Sequence, residues 1–273
     1  MSAPPSPLAT PTPWANVADG YVTDLVPLFE RYARDALRLA ELPLNARVVD
    51  VAAGPGTLSL LAARAAEHVD ALDFSPAMLE HLERRAAAEG ITNVTAHAGD
   101  GQALPFEDGA FDAAFSMFGL IFFPDRARGF RELHRVLATG GRAVVSSWAP
   151  MDRVPLMVAM FTAMNEELPG MLNGTPKLPL SDPDEFRAEM EAAGFQDVVV
   201  HDVAHQGSAE SIDSYWRSNV RSSAPIALIR SHMEPSAFAA FSQGVSSRLT
   251  AQFGEGPVAW EFVAHLGVGR KAG

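Results

Sequence analysis

The sequence predicts an α/β protein built on a doubly wound parallel sheet, with helices added as a cap. Three observations predict it. Short apolar, β-rich runs alternate with stretches of helical spacing between residues 48 and 147, the rhythm of a parallel sheet with crossover helices. A glycine turn, Gly54-Pro55-Gly56, joins the first of these runs directly to a helix start. After Trp148 the rhythm breaks, and residues 149–181 and 207–254 hold segments for which a minimal sheet has no place.

A chain of 273 residues is short for two full α/β domains and long for one, so one domain with an added cap is expected. The expected division is a disordered tail over 1–13, an N-terminal helix and core over 14–148, and a cap over 149–273 interleaved with the last two strands. The tail is rich in Ser, Thr, Ala and Pro and lacks the basic and apolar regions of a signal peptide. The net charge of −12 argues against nucleic acid or an anionic membrane as the main partner, since both need a basic face. It suits a soluble cytoplasmic protein. There is no cysteine, which excludes disulfides, thiol nucleophiles and thiolate metal sites. The longest apolar run, 113–123, is broken by Ser116 and Gly119 and falls short of the ~20 residues that span a bilayer.

Taken in order, residues 14–39 have helical spacing, with Pro27 placed to kink or split the helix. Residues 48–52 form a strand buried on both faces, and 57–66 a helix. Residues 69–73 form the second strand. Ser75-Pro76 supplies an N-cap and first-turn proline for a helix that stops at Gly90. Strands follow at 93–98 and 111–116. A helix opens at Pro124-Asp125 and is ended by Gly140-Gly141, before a strand at 142–147. Residues 154–168 read as a helix and 172–180 as a loop rich in Gly and Pro. Asp182-Pro183-Asp184-Glu185 starts a helix, 195–202 is a strand, 211–248 holds two or three helices broken at Pro225 and Pro235, and 258–266 is a last strand.

In such a sheet ligands bind outside the carboxyl ends of the strands, where the glycine turn lies. Its glycines permit close approach to the backbone, and the helix behind it offers free N–H groups. Asp73 ends the second strand, where a carboxylate can accept from both hydroxyls of a ribose. Asp100 and Gln102 follow the third strand, placed for an adenine edge. Asp50 ends the first strand beside the turn; it would repel a pyrophosphate and attract an ammonium group. Ser59 stands where a dinucleotide turn has its third glycine. These features favour S-adenosylmethionine over NAD.

The chain resembles the class I S-adenosylmethionine-dependent methyltransferases, in the small-molecule branch related to the ubiquinone and menaquinone C-methyltransferases. The resemblance rests on 48–56, on 71–78 with Met78, on 99–106, on Phe111-Asp112 leading to Ser116-Met117-Phe118, and on 132–137 with Gly140-Gly141. It implies a seven-stranded, mostly parallel Rossmann-like sheet with the last strand antiparallel. It also implies cofactor contacts at Asp50, Ala52, Gly54, Gly56, Asp73, Phe74, Met78, Asp100, Gly101, Gln102, Ser116, Met117 and Phe118. Ala52 departs from the pattern, standing where the first glycine of the turn is usual.

The expected reaction is in-line transfer of a methyl group to an O, N or C atom of a small, largely apolar acceptor, leaving S-adenosylhomocysteine. Such a reaction needs no metal, and it needs a base only if the acceptor must lose a proton. No catalytic base is assigned among the eight histidines; His232, among apolar cap helices, is the candidate the sequence offers. Trp14, Tyr21, Phe122, Trp148 and Trp216 are the expected acceptor-pocket residues, with Phe123, Met157 and Met160 as further lining. The alternatives are a binding module without transferase activity and an NAD-dependent oxidoreductase. Neither the acceptor nor the oligomeric state is legible.

Overall fold

Successive residues of the central strands send their side chains to opposite faces, and both faces are buried. The computed structural model describes residues 6–170 and 178–273. Its sheet has seven strands: β1 (Arg47–Val51), β2 (His68–Asp73), β3 (Val94–Ala98), β4 (Phe111–Ser116), β5 (Leu137–Trp148), β6 (Phe195–Ala209) and β7 (Val258–Lys271). Their order is β3-β2-β1-β4-β5-β7-β6. β1 to β5 are mutually parallel, and β7 runs antiparallel to β5 and β6.

The helices are α1 (Pro11–Ala15), α2 (Ala18–Gly20), α3 (Val26–Ala40), α4 (Thr57–Ala62), α5 (Pro76–Glu89), α6 (Arg126–Val136), α7 (Pro155–Glu167), α8 (Pro183–Ala192), α9 (Ile212–Ser222), α10 (Ala224–Ser231) and α11 (Pro235–Phe253). Val48, Ala113 and Val144 meet Tyr32 and Ala36 of α3 and Leu58 of α4 on one face. Val49, Ala114 and Val145 meet Phe130 and Leu133 of α6 and Phe186 and Met190 of α8 on the other. This is the two-residue alternation of a strand turned into a three-layer sandwich.

Three expectations change. Residues 7–13 do not form a disordered tail. Ser6 caps a 3-10 turn (Pro7–Ala9) that leads into α1, and Leu8 and Trp14 pack with Met78 of α5 and with Ala224 and Ala227 of α10. Residues 1–5 lie outside the described residues, as does most of the loop read at 172–180. The single N-terminal helix is split: α2 passes through a π turn (Tyr21–Leu25) into α3, with Pro27 in the first turn. Finally, β5 begins at Leu137 directly after α6, so Gly140 and Gly141 lie inside the strand, next to a register shift between Phe111 and Ala113.

The added helices make a core of their own. Leu156 and Met160 of α7, Ile212 and Trp216 of α9, and Phe241, Val245 and Leu249 of α11 bury one another. Trp216 is 1% exposed, and its indole N–H donates to Ser242 Oγ at 2.8 Å. Its assignment to the acceptor pocket is therefore corrected: the helical spacing that brings it inward aims it at the cap's interior. Trp216→Ala is expected to lower stability by ~3–5 kcal/mol, read from urea unfolding. Unchanged stability would contradict this packing.

Candidate functional site

The strand order reverses between β1 and β4, so crossovers leave toward opposite edges and a crevice opens above these strand ends. A cavity of about 290 Å³ lies there. Ala52 and Gly54 line it from the turn after β1, and Asp73, Phe74 and Met78 from the end of β2 and the start of α5. Asp100, Gly101 and Gln102 line it from beyond β3, and Met117 and Phe118 from beyond β4. A smaller space of about 30 Å³ adjoins it, lined by Asp50, Pro55, Thr57 and others. Tyr21, Ala52, Gly54 and Met117 border both.

Asp73 ties this arrangement together. Its Oδ2 accepts from the Gly54 N–H and its Oδ1 from the Ser75 N–H, each at 2.8 Å. One carboxylate therefore fixes the glycine turn to the end of β2 and also starts α5. It remains at the cavity wall with lone pairs to spare. Burial pushes its carboxyl up to about 6, against the backbone N–H groups of Ser75, Gly54 and Phe74 that favour the charged form.

Asp50 is 1% exposed. Its Oδ2 accepts from the Ser59 hydroxyl at 2.6 Å, whereas Oδ1 is buried without a partner. Burial pushes this carboxyl up to about 7; the Ser59 hydroxyl opposes that shift and the charge on Asp73 adds to it. A buried carboxylate with an empty oxygen ionises at a high cost unless a cation comes to it. Thr57 Oγ1 is likewise buried without a partner beside the same small space. An amino acid's ammonium and carboxylate groups match these two vacancies in donor and acceptor character. The residues therefore fit the methionine end of S-adenosylmethionine.

Ala52 adopts φ +58, a left-handed conformation that costs a non-glycine residue about 1–2 kcal/mol. Its methyl is accommodated because residue 119 is glycine: a Cβ there would lie 2.3 Å from the Ala52 Cβ. Asp100 Oδ1 accepts from the Gln102 backbone N–H at 2.8 Å, and Gln102 Oε1 accepts from the Asp125 N–H at 2.8 Å. The loop after β3 is thereby joined to the start of α6. Arg85 of α5 braces the turn, donating to the Pro55 carbonyl at 2.7 Å.

Among the expected acceptor residues, Trp14, Tyr21 and Phe122 line the cavity. Trp14 meets Phe122 edge to face at 4.8 Å, and its indole N–H donates to the Leu8 carbonyl at 2.9 Å. Four of the expected residues lie outside the linings. Trp148 lies outside the cavity lining and stacks on Phe118 at 4.2 Å, supporting the wall from behind. Gly56 (φ +76) is absent from both linings; its place is fixed by Leu82, which a Cβ would meet at 2.7 Å. Ser116 is buried and absent from both linings, and its Oγ, like Thr57 Oγ1, has no partner. His232 is exposed where α10 ends, with Nδ1 2.8 Å from the Leu228 carbonyl oxygen. Leu8 and Ala9 line the cavity from a segment read as a tail; an apolar residue between prolines, six before a tryptophan, was their only signal. Among the described residues no cluster of three His, Asp or Glu side chains is arranged for a metal ion.

A family model described as "Methyltransferase domain" matches residues 48–141. The demethylmenaquinone methyltransferase of Thermus thermophilus is 38% identical over 180 residues, covering 60% of this chain and 81% of that protein. An uncharacterized protein of Mycobacterium tuberculosis is 43% identical over 104 residues, 38% of each chain. The crystal structure of YcgJ from Bacillus subtilis superimposes with a TM-score of 0.58 at 21% identity, covering 89% of this chain and 99% of that one, a likeness of fold.

Two outcomes follow from the carboxylates. Asp50 holds its proton more readily when folded, its ordinary value of 3.8 rising to about 7. The folded state thus binds the extra proton between these values, and Asp50 makes the free protein lose stability as pH rises through that window. Asp50→Asn is expected to melt higher than the parent at pH 8 and to bind S-adenosylhomocysteine more weakly, by ~1.5–3 kcal/mol. A melting temperature no higher at pH 8, by scanning calorimetry, contradicts this. Asp73→Ala is expected to weaken the same ligand by ~1–3 kcal/mol; an unchanged affinity in titration calorimetry would leave Asp73 a helix-starting residue only.

Proposed function

The chain belongs to the class I S-adenosylmethionine-dependent methyltransferases, and from that premise we propose that its acceptor is a small, flat, uncharged and largely apolar molecule of the hydroquinone or phenol type. The observation that carries this reading is the cleft wall. Trp14, Tyr21, Met117, Phe122 and Phe123 supply aromatic and thioether surface, which suits an apolar ring. Among the described residues no lysine, arginine or histidine lines the cleft, so nothing there would hold a phosphate or carboxylate.

Bound S-adenosylmethionine supplies an already activated methyl group. The chain's own part is to hold, orient and exclude water. Asp73 and Asp100 would take the ribose and adenine, and Asp50 the ammonium group. Tyr21 and Met117 border both spaces and so would flank the position between adenosine and amino acid. Leu8, Trp14 and Phe122 close the outer side. Holding two reactants in line can supply ~7–11 kcal/mol of the barrier.

No general base is placed at the acceptor. Burial, with the charge of Asp73, pushes the Tyr21 phenol well above its ordinary range, so at neutral pH it donates a hydrogen bond and takes no proton. The acceptor must then bring its own nucleophile. A hydroquinone or phenol does, because its hydroxyl hydrogen ionises in mild alkali and the charge reaches ring carbon as well as oxygen. The name of the Thermus thermophilus relative accords with this class. The net charge of −12 accords with a cytoplasmic enzyme; among the described residues no helix is long and apolar enough to cross a membrane.

Incubation with methyl-labelled S-adenosylmethionine and a panel of naphthohydroquinones, phenols, amines and organic phosphates tests the reading. Label is expected in the hydroquinones or phenols, with the methylated atom located by mass spectrometry. Transfer only to phosphates or carboxylates would overturn it.

A further inference from the structure

The cap meets the site at α10, where Ala224 and Ala227 pack with Leu8 and Trp14, and again at α9. The C-terminal turn of α9 lies against the segment that carries Tyr21. Gly20 precedes Tyr21, and a Cβ on it would lie 2.3 Å from the Arg221 carbonyl oxygen, so only a glycine admits this approach. One turn on, Asp24 accepts from both Arg221 Nε, at 3.0 Å, and Nη2, at 2.9 Å. Such a paired contact fixes direction as well as distance. The Asp24 side chain is 12% exposed and that of Arg221 54%, so one partner is held inside while the other reaches in from the cap.

The segment between these contacts is the π turn Tyr21–Leu25. A π turn adds a residue to the helical repeat and re-aims the side chains at its start, and such turns recur at functional sites. Here it turns Tyr21 toward the cavity, with its ring edge-on to Phe29 at 5.7 Å. At its other end α9 is capped and buried. Ser211 and Ser214 cap each other's backbone, and Tyr215 and Trp216 are buried in the cap core. A capped and buried cap helix therefore grips a wide helical turn at Gly20 and Asp24, and that turn carries, among the described residues, the one side chain of the N-terminal segment that borders both cofactor spaces.

We propose that Arg221 and Asp24 form a clasp through which the cap positions Tyr21 over the junction of the cofactor site. Arg221 is then a positioning residue, acting through Asp24 on Tyr21 and touching no reactant. The inference rests on the reading of the two cavities as one S-adenosylmethionine site. It assigns the cap a task in the chemistry: holding the wall against which the acceptor must lie.

The test uses the full chain and S-adenosylhomocysteine. The sequence has three tyrosines, of which Tyr32 is 0% and Tyr215 3% exposed, so oxidation by hydroxyl radicals, which needs access and no ionisation, reports on Tyr21 when read at its peptide by mass spectrometry. In the parent protein, bound S-adenosylhomocysteine is expected to shield Tyr21. In Arg221→Gln and in Asp24→Asn, Tyr21 is expected to react several-fold faster with the ligand saturating, and the double variant no faster than either single one, because both break the same contact. Thermal melting and the far-ultraviolet spectrum identify any variant that fails to fold, and either single variant suffices. Folded variants in which Tyr21 stays shielded overturn the clasp and leave the cofactor site standing. A parent protein that binds S-adenosylhomocysteine without shielding Tyr21 also overturns it. A parent that binds no S-adenosylhomocysteine overturns the underlying site as well.

Discussion

Two carboxylates buried beside one glycine turn set the terms for the rest of this structure. Asp50 and Asp73 are 1% and 5% exposed, and burial pushes both toward neutrality. The fold keeps Asp73 by giving its oxygens to backbone N–H groups of the turn and of α5. It keeps Asp50 only partly satisfied, through Ser59. A cluster of this kind opposes stability in the free protein and favours a ligand that brings a positive charge. The sheet carries that cost: β1 and β2 are buried on both faces and hold each carboxylate at a strand end.

The selectivity of the site follows from this placement. A dinucleotide brings phosphates to the glycine turn, and an unpartnered carboxylate there repels them. An amino acid brings an ammonium group and is attracted. The acceptor side is governed by the opposite rule, since it holds aromatic surface and, among the described residues, no cation. Specificity at one end is electrostatic. At the other, on the proposed reading, it comes from shape, apolar surface and an acceptor that supplies its own nucleophile.

The core is legible because an acidic residue stands at or just beyond the end of each of the first three strands. The strand-helix rhythm puts Asp50, Asp73 and Asp100 at the same sheet edge, and there they line the two adjoining spaces. The acceptor side was less legible because it is built from contacts distant in sequence. Trp148 and Trp216 are aromatic residues at plausible positions, yet one stacks on Phe118 and the other fills the cap; composition does not say which way a ring faces. Leu8 was hidden in a proline-rich stretch whose order comes from Met78, Ala224 and Ala227. The Ala52 departure made sense only beside Gly119, sixty-odd residues on, which leaves the space its methyl needs. His232 has apolar neighbours in sequence, yet the end of α10 leaves it exposed.

The measurement that tests the central claim most directly is a comparison of two ligands across pH. S-adenosylhomocysteine carries the amino acid that Asp50 is held to recognise; 5′-methylthioadenosine keeps the adenosine and lacks it. Binding the ammonium requires Asp50 to be charged, and in the free protein its proton leaves at about pH 7. Titration calorimetry should therefore show the affinity of S-adenosylhomocysteine falling by up to about tenfold per pH unit below that point. The affinity of 5′-methylthioadenosine should fall later and less, following Asp73 at about 6. Parallel pH profiles for the two ligands would contradict the account, because the buried charge of Asp50 would then play no part in holding the cofactor.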